Sequence, residues 1–530
     1  MIAFAELLER LVFTPGRLAK TALLRRYFAT EPDPDRGYGL AALTEELSFA
    51  VAKPGLIRAL AEERVDPVLF GMSHDYVGDL AETVALIWPA ALTNAGPPTM
   101  SEVVHALHDT PKAELPRLVA GWLDASDVSV RYALLKLITG SLRVGASARL
   151  AKIALAEVAG GRIAADEIEE VWHGLEPPYA SLFAWIEDTG HRPDPNGAPV
   201  FRPPMLAHPL EAPDIAALDP AAYRAEWKWD GIRVQLVATA AGRRIYSRGA
   251  DDVSGAFPEI LDAMAFEGVL DGELLVVRDG EIAPFADLQQ RLGRKSPGAK
   301  MLREFPVHVR LYDLLFDGVE DLRTLPFDAR RARLQDWVAR HPSPCMDLSD
   351  LIPFTSIADL SAIRDGTRAA SIEGLMLKRA DSPYVPGRPK GFWWKWKRDP
   401  LTIDAVVMYA QRGHGKRSSY YSDYTFGLWR EDGELVPVGK AYSGFTDVEL
   451  VQLDRWIRNH TVARFGPVRE VERGLVLEIA FDAAQRSNRH QSGVALRFPR
   501  VARLRPDKPA AEADRLDTLM RLIEPGAVAV

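Results

Sequence analysis

The segment Lys228-Trp229-Asp230-Gly231-Ile232-Arg233 has the residue types in this 530-residue chain that are best suited to covalent chemistry. It reads K-x-D-G-x-R, and its flanks have the composition of β-strands. A lysine amine held at the edge of a pocket can attack a nucleotide phosphate. The alternative is a hairpin in which Asp230 and Gly231 form the turn and Lys228 faces solvent.

Further motifs follow this segment in a fixed order, and each alone could be a turn or a strand end. They are Ser247-Arg248, Asp271-Gly272-Glu273, Tyr312-Asp313, Glu373-Gly374, Lys395-Trp396-Lys397 and Arg505-Pro506-Asp507-Lys508. The ordered set resembles that of the covalent nucleotidyltransferases, and most closely that of the ATP-dependent DNA ligases. The resemblance extends over nearly the whole chain. It implies an adenylation domain joined to an OB-fold, behind a helical DNA-binding domain.

Composition limits the class of protein. With 47% hydrophobic and 26% charged residues, the chain is long enough for about three globular domains. Its one cysteine, Cys345, excludes a disulfide framework and a four-cysteine zinc site, and it suits the reducing cytoplasm. No apolar run approaches the ~20 residues of a membrane span. We therefore expect a cytoplasmic protein with no membrane partner, and the resemblance implies a bacterial, monomeric one.

The elements that must position the motifs fall into separate regions. Residues 1 to about 187 have helical apolar spacing, and 188–204 are rich in Pro, Gly and Asp, as in a linker. The next region has an α+β pattern, and the last has short strands typical of a small barrel. Strands are predicted at 225–238, 269–277, 307–315, 374–379, 403–409, 424–429, 435–441 and 475–481, and a helix at 327–340.

These patterns, read with the resemblance, predict a multidomain fold. The expected parts are an all-α DNA-binding domain at 1–200, an α+β adenylation (nucleotidyltransferase) domain at 201–400, a β-barrel OB-fold domain at 401–515 and a C-terminal tail at 516–530.

Attack on the α-phosphate of ATP requires a neutral amine. The pKa of a free lysine is ~10.4, so keeping Lys228 neutral near pH 7.5 without help costs about 4 kcal/mol. Burial and the nearby cations Lys395 and Lys397 are expected to lower that pKa. The same two lysines could neutralise charge that grows on the α-phosphate in the transition state. Alternatively, they form a charged strand face while Trp394 and Trp396 pack in the core.

The resemblance implies a role for each motif. Tyr312 stacks on adenine and Lys378 meets a phosphate, while Arg505 and Lys508 swing over ATP to orient pyrophosphate and then swing away to admit DNA. A solvated basic strand is the alternative for the last two. The expected catalytic residues are Lys228, Asp230, Lys395 and Lys397. The expected ATP-binding residues are Glu226, Lys228, Arg233, Arg248, Glu273, Tyr312, Lys378, Lys397, Arg505 and Lys508.

Two carboxylates, Glu273 and Glu373, are expected to hold Mg²⁺ or Mn²⁺. Mg²⁺ is a hard ion that prefers oxygen ligands and keeps several waters. The Asp-Gly-Glu motif could instead be only a hairpin turn. Since stacking on Tyr312 does not distinguish one base from another, preference for ATP over GTP must depend on other contacts.

Two segments have the composition of DNA-contacting loops. Residues 140–149 join two helices with small residues that let backbone amides approach a phosphate, and 411–421 mix glycine with basic and aromatic residues. The second segment could be a loop that binds the phosphate backbone of DNA, or a solvated loop with no binding role. The expected DNA contacts are Arg143, Arg149, Arg412, Lys416 and Arg417.

The leading hypothesis is an enzyme that seals nicks in double-stranded DNA with ATP through a lysyl-AMP and a DNA-adenylate. RNA ligases and capping guanylyltransferases share the lysine motif, but the long helical region resembles neither. An NAD-dependent ligase would be expected to carry a zinc-finger module, which one cysteine cannot build. The alternative from another class is a catalytically idle DNA-binding scaffold.

Overall fold

The structure of the chain is a computed structural model that describes residues 1–47, 49, 53–89, 95–140, 142, 144–195, 197–367, 371–413 and 419–523. These fall into two compact units. One comprises Met1–Pro204 with Val237–Arg244, and the other comprises Met205–Leu236 with Ile245–Val530. The division after Pro204 lies at the end of the predicted linker. Within the described residues, no helix is long and apolar enough to cross a membrane.

The first unit is helical up to residue 186, as predicted. Apolar residues at helical spacing build its core: Leu134, Leu135 and Ile138 of one helix are each at most 4% exposed. That helix begins at an Asp127 cap and ends before Gly140, which has a φ of +67°. The helices are α1 Ile2–Phe13, α2 Arg17–Thr30, α3 Asp35–Leu43, α4 Pro54–Arg64, α5 Pro67–Val77, α6 Leu80–Ile87, α7 Met100–Asp109, α8 Leu115–Asp124, α9 Val128–Thr139, α10 Ala148–Val158, α11 Ala165–Trp172 and α12 Ala180–Ile186.

The region from residue 208 to 397 alternates strands and helices. Its strands are β1 His208–Pro209, β2 Tyr223–Trp229, β3 Ile232–Thr239, β4 Gly242–Ser247, β5 Gly268–Arg278, β6 Glu281–Ile282, β7 Val307–Asp317, β8 Glu320–Asp321, β9 Met346–Leu348, β10 Leu351–Ile352, β11 Ile372–Arg379 and β12 Trp393–Lys397. Its helices are α13 Ala212–Ala217, α14 Pro258–Ala263, α15 Phe285–Arg291, α16 Ala299–Glu304, α17 Phe327–Arg340 and α18 Ile357–Gly366. The α+β pattern is confirmed.

Two sheets in this region arrange the K-x-D-G-x-R segment. One has the strand order β1-β12-β11-β2-β10, and the other has the order β4-β3-β5-β7-β8. Lys228 lies on β2 in the first sheet, and Arg233 lies on β3 in the second. Asp230 and Gly231 therefore connect two sheets, and the predicted alternative of a hairpin turn is wrong. A Cβ on Gly231 would lie 2.4 Å from the Leu274 carbonyl oxygen, so this crossing requires glycine.

The C-terminal region is rich in strands, as predicted. Leu477, Ile479 and Phe481 are fully buried on one face of β18. The strands are β13 Leu401–Arg412, β14 Tyr421–Trp429, β15 Leu435–Ala441, β16 Thr461–Phe465, β17 Val468–Val471, β18 Val476–Phe481, β19 Ala483–Arg486, β20 Val494–Arg497 and β21 Arg500–Leu504. The helices are α19 Asp447–Asn459 and α20 Leu516–Arg521.

Strand β13 is the centre of this region because it pairs with β14, β17 and β18. Strand β18 pairs in turn with β21. The segment predicted as a tail from residue 516 begins with α20, whose Leu519 is fully buried in the same core. Residues up to 523 therefore belong to the folded region.

Candidate active site

A cavity of about 440 Å³ collects most of the residues predicted for nucleotide chemistry. Neither Arg505 nor Lys508 lines it. The lining residues absent from the predicted set include Arg388, Trp393 and Arg497. The predicted residues that line the cavity are Glu226, Lys228, Asp230, Arg233, Arg248, Glu273, Tyr312, Glu373, Lys378, Lys395 and Lys397.

The lysines of the cavity come from alternate positions of neighbouring strands. Gly374 on β11 pairs with Lys228 on one side and with Lys397 on the other. Its φ is +147°, and a Cβ there would lie 2.3 Å from the Trp396 carbonyl oxygen, so no side chain separates the two lysines. The side chains of Trp394 and Trp396 pack in a buried cluster, 6% and 7% exposed. The predicted strand with buried tryptophans and charged lysines is therefore present, and its two lysines line the cavity.

Glu373 is the anion around which the cations gather. Its Oε2 accepts a hydrogen bond of 2.5 Å from the Lys228 Nζ and lies 3.3 Å from the Lys397 Nζ. Its Oε1 lies 3.7 Å from Arg497. Burial by itself would raise the pKa of Glu373, but Lys228, Lys397 and Arg497 lower it to about 2. The carboxyl is thus ionised at neutral pH and orients the Lys228 amine.

The second predicted metal ligand, Glu273, has a different environment. It lies inside β5, so the Asp-Gly-Glu motif is not the hairpin turn proposed as an alternative. Burial raises the pKa of Glu273 to about 7, against the opposing effect of Lys228 and Arg233. Within the described part of the chain, no group of three or more carboxylate, histidine or cysteine side chains could hold a metal ion. A metal at this site would need oxygen ligands from nucleotide or water.

Arg233 is fixed by a network that the sequence motifs do not reveal. It donates to Asp271 at 2.6 Å, to the Tyr384 hydroxyl at 2.9 Å and to the Met205 carbonyl at 2.6 Å. Tyr384 also donates to Asp271 at 2.5 Å. Asp271 belongs to the Asp-Gly-Glu motif and is 1% exposed. A buried, hydrogen-bonded ion pair therefore holds the Arg233 guanidinium at the wall of the cavity.

Glu226 is buried beside two cationic side chains, Lys378 and Arg331, which are also buried. The Lys378 Nζ donates to the Glu226 Oε2 at 3.1 Å and lies 4.5 Å from the Tyr312 ring centroid. The Glu226 Oε1 is buried without a hydrogen bond to any described residue, and Arg331 is 3.6 Å away. Burial raises the pKa of Glu226, against the opposing effect of Lys378 and Arg331. One wall of the cavity therefore has an aromatic ring beside an unused acceptor.

Asp230 is paired with a residue far along the chain. Both Arg497 amino groups donate to its carboxylate, one of them at 2.8 Å. Burial raises the pKa of Asp230, and the hydrogen bonds from Arg497 oppose that rise. Arg497 ends β20, and no motif named from the sequence indicates its contact with Asp230.

Arg505 and Lys508 lie together at another position of the C-terminal region. The Arg505 Nη1 and the Lys508 Nζ each donate to the Asp404 Oδ2 at 2.7 Å. The two cations are thus held together on one carboxylate, and neither lines the Lys228 cavity at which they are predicted to act.

The structure describes only part of the predicted DNA-binding set. Arg143, Lys416 and Arg417 lie outside the described residues. Arg149 is 56% exposed, forms an ion pair with Asp166 and borders a cavity that Arg17 and Lys20 also line. Arg412 ends β13 and lies 5.8 Å from the Tyr421 ring. The DNA contacts of these residues stay predictions.

Comparisons with known proteins bear on the whole arrangement. Residues 204–397 match the family model described as ATP dependent DNA ligase domain, and 417–508 match the model described as ATP dependent DNA ligase C terminal region. A "Probable DNA ligase" of Koribacter versatilis (strain Ellin345) is 31% identical over 98% of this chain and 95% of its own. The chain belongs to the ATP-dependent DNA ligases. The predicted enzyme class and its use of ATP are thereby confirmed.

Other relatives agree with this assignment. A "Probable DNA ligase" of Saccharopolyspora erythraea is 32% identical over 92% of this ligase and 96% of its own chain. The solved structure named Pmar-Lig_PreS3 has a TM-score of 0.57 and 16% identity, with 95% of this chain and 99% of that chain covered. That likeness concerns the fold, including the helical N-terminal region and the strand-rich C-terminal region.

Proposed function

We propose that this ligase seals nicked duplex DNA through a covalent AMP on Lys228. The Lys228 Nζ attacks the α-phosphorus of ATP, a P–N bond forms, and the bond to pyrophosphate breaks as the amine loses a proton. A 5′-phosphate oxygen of DNA then attacks the same phosphorus and releases the lysine. The 3′-hydroxyl finally attacks the 5′-phosphorus, and AMP leaves.

The observation that carries this proposal is the position of Lys228 between a carboxylate and further cations in one cavity. Glu373 fixes the direction of the amine at 2.5 Å. Lys395 and Lys397 lie on the same sheet within that cavity, where they can neutralise charge on the α-phosphate. Burial, with Arg388 and Lys228 nearby, lowers the pKa of Lys395, which indicates how strongly positive the site is before nucleotide binds.

An assay with three substrates tests the order of steps. A duplex with one 5′-phosphorylated nick should require ATP for sealing, and a nick that already carries 5′-AMP should be sealed without ATP. A nick without the 5′-phosphate should not react. Failure to seal the adenylated nick would contradict the proposed order, and sealing of the ordinary nick without any nucleotide would contradict a requirement for ATP.

The metal expected for this reaction fits Glu273 best. This half-buried carboxyl has a pKa raised to about 7, so a divalent cation beside it would favour its ionised form. Glu373 would share the ion while it holds Lys228. Mg²⁺ or Mn²⁺ bound there would neutralise phosphate charge as pyrophosphate departs.

Selection of ATP over GTP is proposed to depend on Glu226. Its Oε1 is a buried acceptor that can receive the 6-amino group of adenine, whereas the 6-oxygen of guanine would face it with a second acceptor. Tyr312, beside Lys378, would stack on the base. In this arrangement Lys378 positions Glu226, in addition to the phosphate contact predicted for it.

Purine riboside triphosphate, which lacks only the 6-amino group, should therefore be a poor substrate for self-adenylation. Leaving a buried acceptor unpaired costs about 1–3 kcal/mol, or roughly 5-fold to 150-fold in kcat/KM. The measurement is the single-turnover rate of adduct formation with each nucleotide. 2-Aminoadenosine triphosphate, which keeps the 6-amino group, is the matched control. Equal rates for ATP and the purine analogue would remove Glu226 as the selecting group.

Two further regions are proposed to bind DNA. The helical domain, 1–200, would brace duplex DNA through Arg143 and Arg149. The region 401–515 would be an OB-fold that contacts nucleic acid through Arg412, Lys416 and Arg417. The Lys228 cavity of the adenylation domain, 201–400, would receive ATP and the nick in turn. A monomer suffices for this arrangement, and a cytoplasmic location is proposed.

Arg505 and Lys508 are proposed to act on pyrophosphate in the first step alone. Arg505→Ala and Lys508→Ala should slow self-adenylation by at least 100-fold, because each removes a cation from the departing group. Sealing of a nick that already carries 5′-AMP should stay within about 2-fold of the wild-type rate, since pyrophosphate is absent. Equal losses in the two assays would show that the motif has a structural or DNA-binding role.

A further inference from the structure

Asp404 contacts both cations of the R-x-D-K motif. Its Oδ2 accepts from both the Arg505 Nη1 and the Lys508 Nζ, each at 2.7 Å. Asp404 is 8% exposed, and its Oδ1 is buried without a hydrogen bond to a described residue. The Asp404 carboxylate therefore bridges two positive groups that would otherwise repel each other and sample many rotamers. Arg505 also donates to Asp507 of the motif at 2.9 Å, but Asp404 is the carboxylate that joins it to Lys508.

The backbone around Asp404 is fixed on both sides. The Asp404 amide donates to the Asp514 side chain at 2.8 Å, and the Asp514 amide donates to the Asp404 carbonyl at 2.9 Å. Asp404 also sits within β13, where it pairs with Glu478 of β18. Its carboxylate is thus presented from a rigid element, which is what a group that orients other side chains requires.

All three members of the cluster lie on elements of the same strand-rich region. The Arg505 amide donates to the Val476 carbonyl at 3.0 Å, so the chain that carries the R-x-D-K motif is bonded directly to β18, the neighbour of β13. A movement of this region as a body would carry Asp404 together with Arg505 and Lys508. Asp404 is therefore their permanent partner and not a site that they leave on the way to ATP.

We propose that Asp404 is a positioning residue for self-adenylation, whose carboxylate holds Arg505 and Lys508 as one preorganised pair for the polyphosphate of ATP. This inference rests on the proposed role of the two cations toward pyrophosphate. Preorganised charges stabilise a transition state without being reoriented during the reaction, so loss of the anchor reduces the first step while both cations remain in the chain.

The test is Asp404→Asn in the full chain. This substitution keeps the shape of the side chain and removes its charge. Single-turnover self-adenylation should lose about 10-fold in kcat/KM for ATP, and sealing of a nick with preformed 5′-AMP should change by less than 2-fold. Equal losses in both assays would mean that Asp404 only supports the fold, and faster adenylation would mean that it restrains the cations unproductively. Either outcome would overturn the proposal.

Glu478→Gln is the matched control, because Glu478 is the cross-strand partner of Asp404 but lies 3.8 Å from Arg505 and bonds chiefly to Arg503. It should change either assay by less than 2-fold. A further readout is Asp404→Asn in the background of Arg505→Ala with Lys508→Ala. If Asp404 acts through these cations, the added substitution should cost less than 2-fold there.

The single variants Arg505→Ala and Asp404→Asn together distinguish failure of the proposed function from failure of the anchoring role. Losses by Arg505→Ala in both assays would contradict the proposed function of the motif itself. A first-step loss by Arg505→Ala without any effect of Asp404→Asn would contradict only the anchoring role.

Discussion

Lys228→Ala should form no covalent AMP after incubation with ATP and Mg²⁺, and Lys228→Arg should form none either. The alanine variant lacks a nucleophile, and the arginine variant keeps a guanidinium that stays protonated and cannot attack phosphorus. Intact-protein mass spectrometry should find one added AMP on the wild-type chain and no added mass on the variants. Each variant is expected to lose adduct formation completely, which is the largest effect expected for any single substitution.

Both variants should still seal a nick that already carries 5′-AMP, although more slowly, because Lys228 also contributes charge to the cavity through Glu373. Lys300→Ala is a suitable control, since Lys300 is 81% exposed and pairs with Glu304 within one helix. It should form the adduct at the wild-type rate. An adduct of normal yield on Lys228→Ala or Lys228→Arg would assign the nucleophile elsewhere.

The bounds and the buried faces of single helices and strands could be predicted closely where they depend on the spacing of apolar residues within the element. The helix predicted at 327–340 begins and ends at those residues because its apolar side chains recur at helical spacing after Pro326. The alternation of Trp394 and Trp396 with two lysines likewise predicted one buried and one charged face on β12. In each case the information lies within a few residues.

The contacts that could not be predicted join distant parts of the chain. Whether Asp230 and Gly231 turn a hairpin or cross between sheets depends on β2 pairing with β11, more than a hundred residues later. The bond from Tyr384 to Asp271 spans 113 residues, and that from Arg505 to Asp404 spans 101. Motif spacing identifies groups that share a site, but it does not indicate which carboxylate neutralises which cation.

The pair of Arg497 and Asp230 leads to the second large prediction. Arg497→Ala removes two charge-assisted hydrogen bonds and a cation 3.7 Å from Glu373. Breaking a buried ion pair costs 3–5 kcal/mol, and Arg497 is about one quarter exposed, so solvent screening reduces this to about 2 kcal/mol. Sealing of a nick that carries 5′-AMP should therefore fall about 30-fold.

Self-adenylation by Arg497→Ala should stay within about 2-fold of the wild-type rate. In the structure, Arg497 is bonded to Asp230, and neither Arg505 nor Lys508 lines the cavity. Because these two cations are proposed to act on pyrophosphate in the first step, that step requires a different arrangement, in which Arg497 and Asp230 are not paired. Arg430→Ala is the control, because Arg430 pairs with the exposed Glu434 in the same region. A loss of adenylation as large as the loss of sealing would show that the ion pair stabilises the fold and is not specific to the steps on DNA.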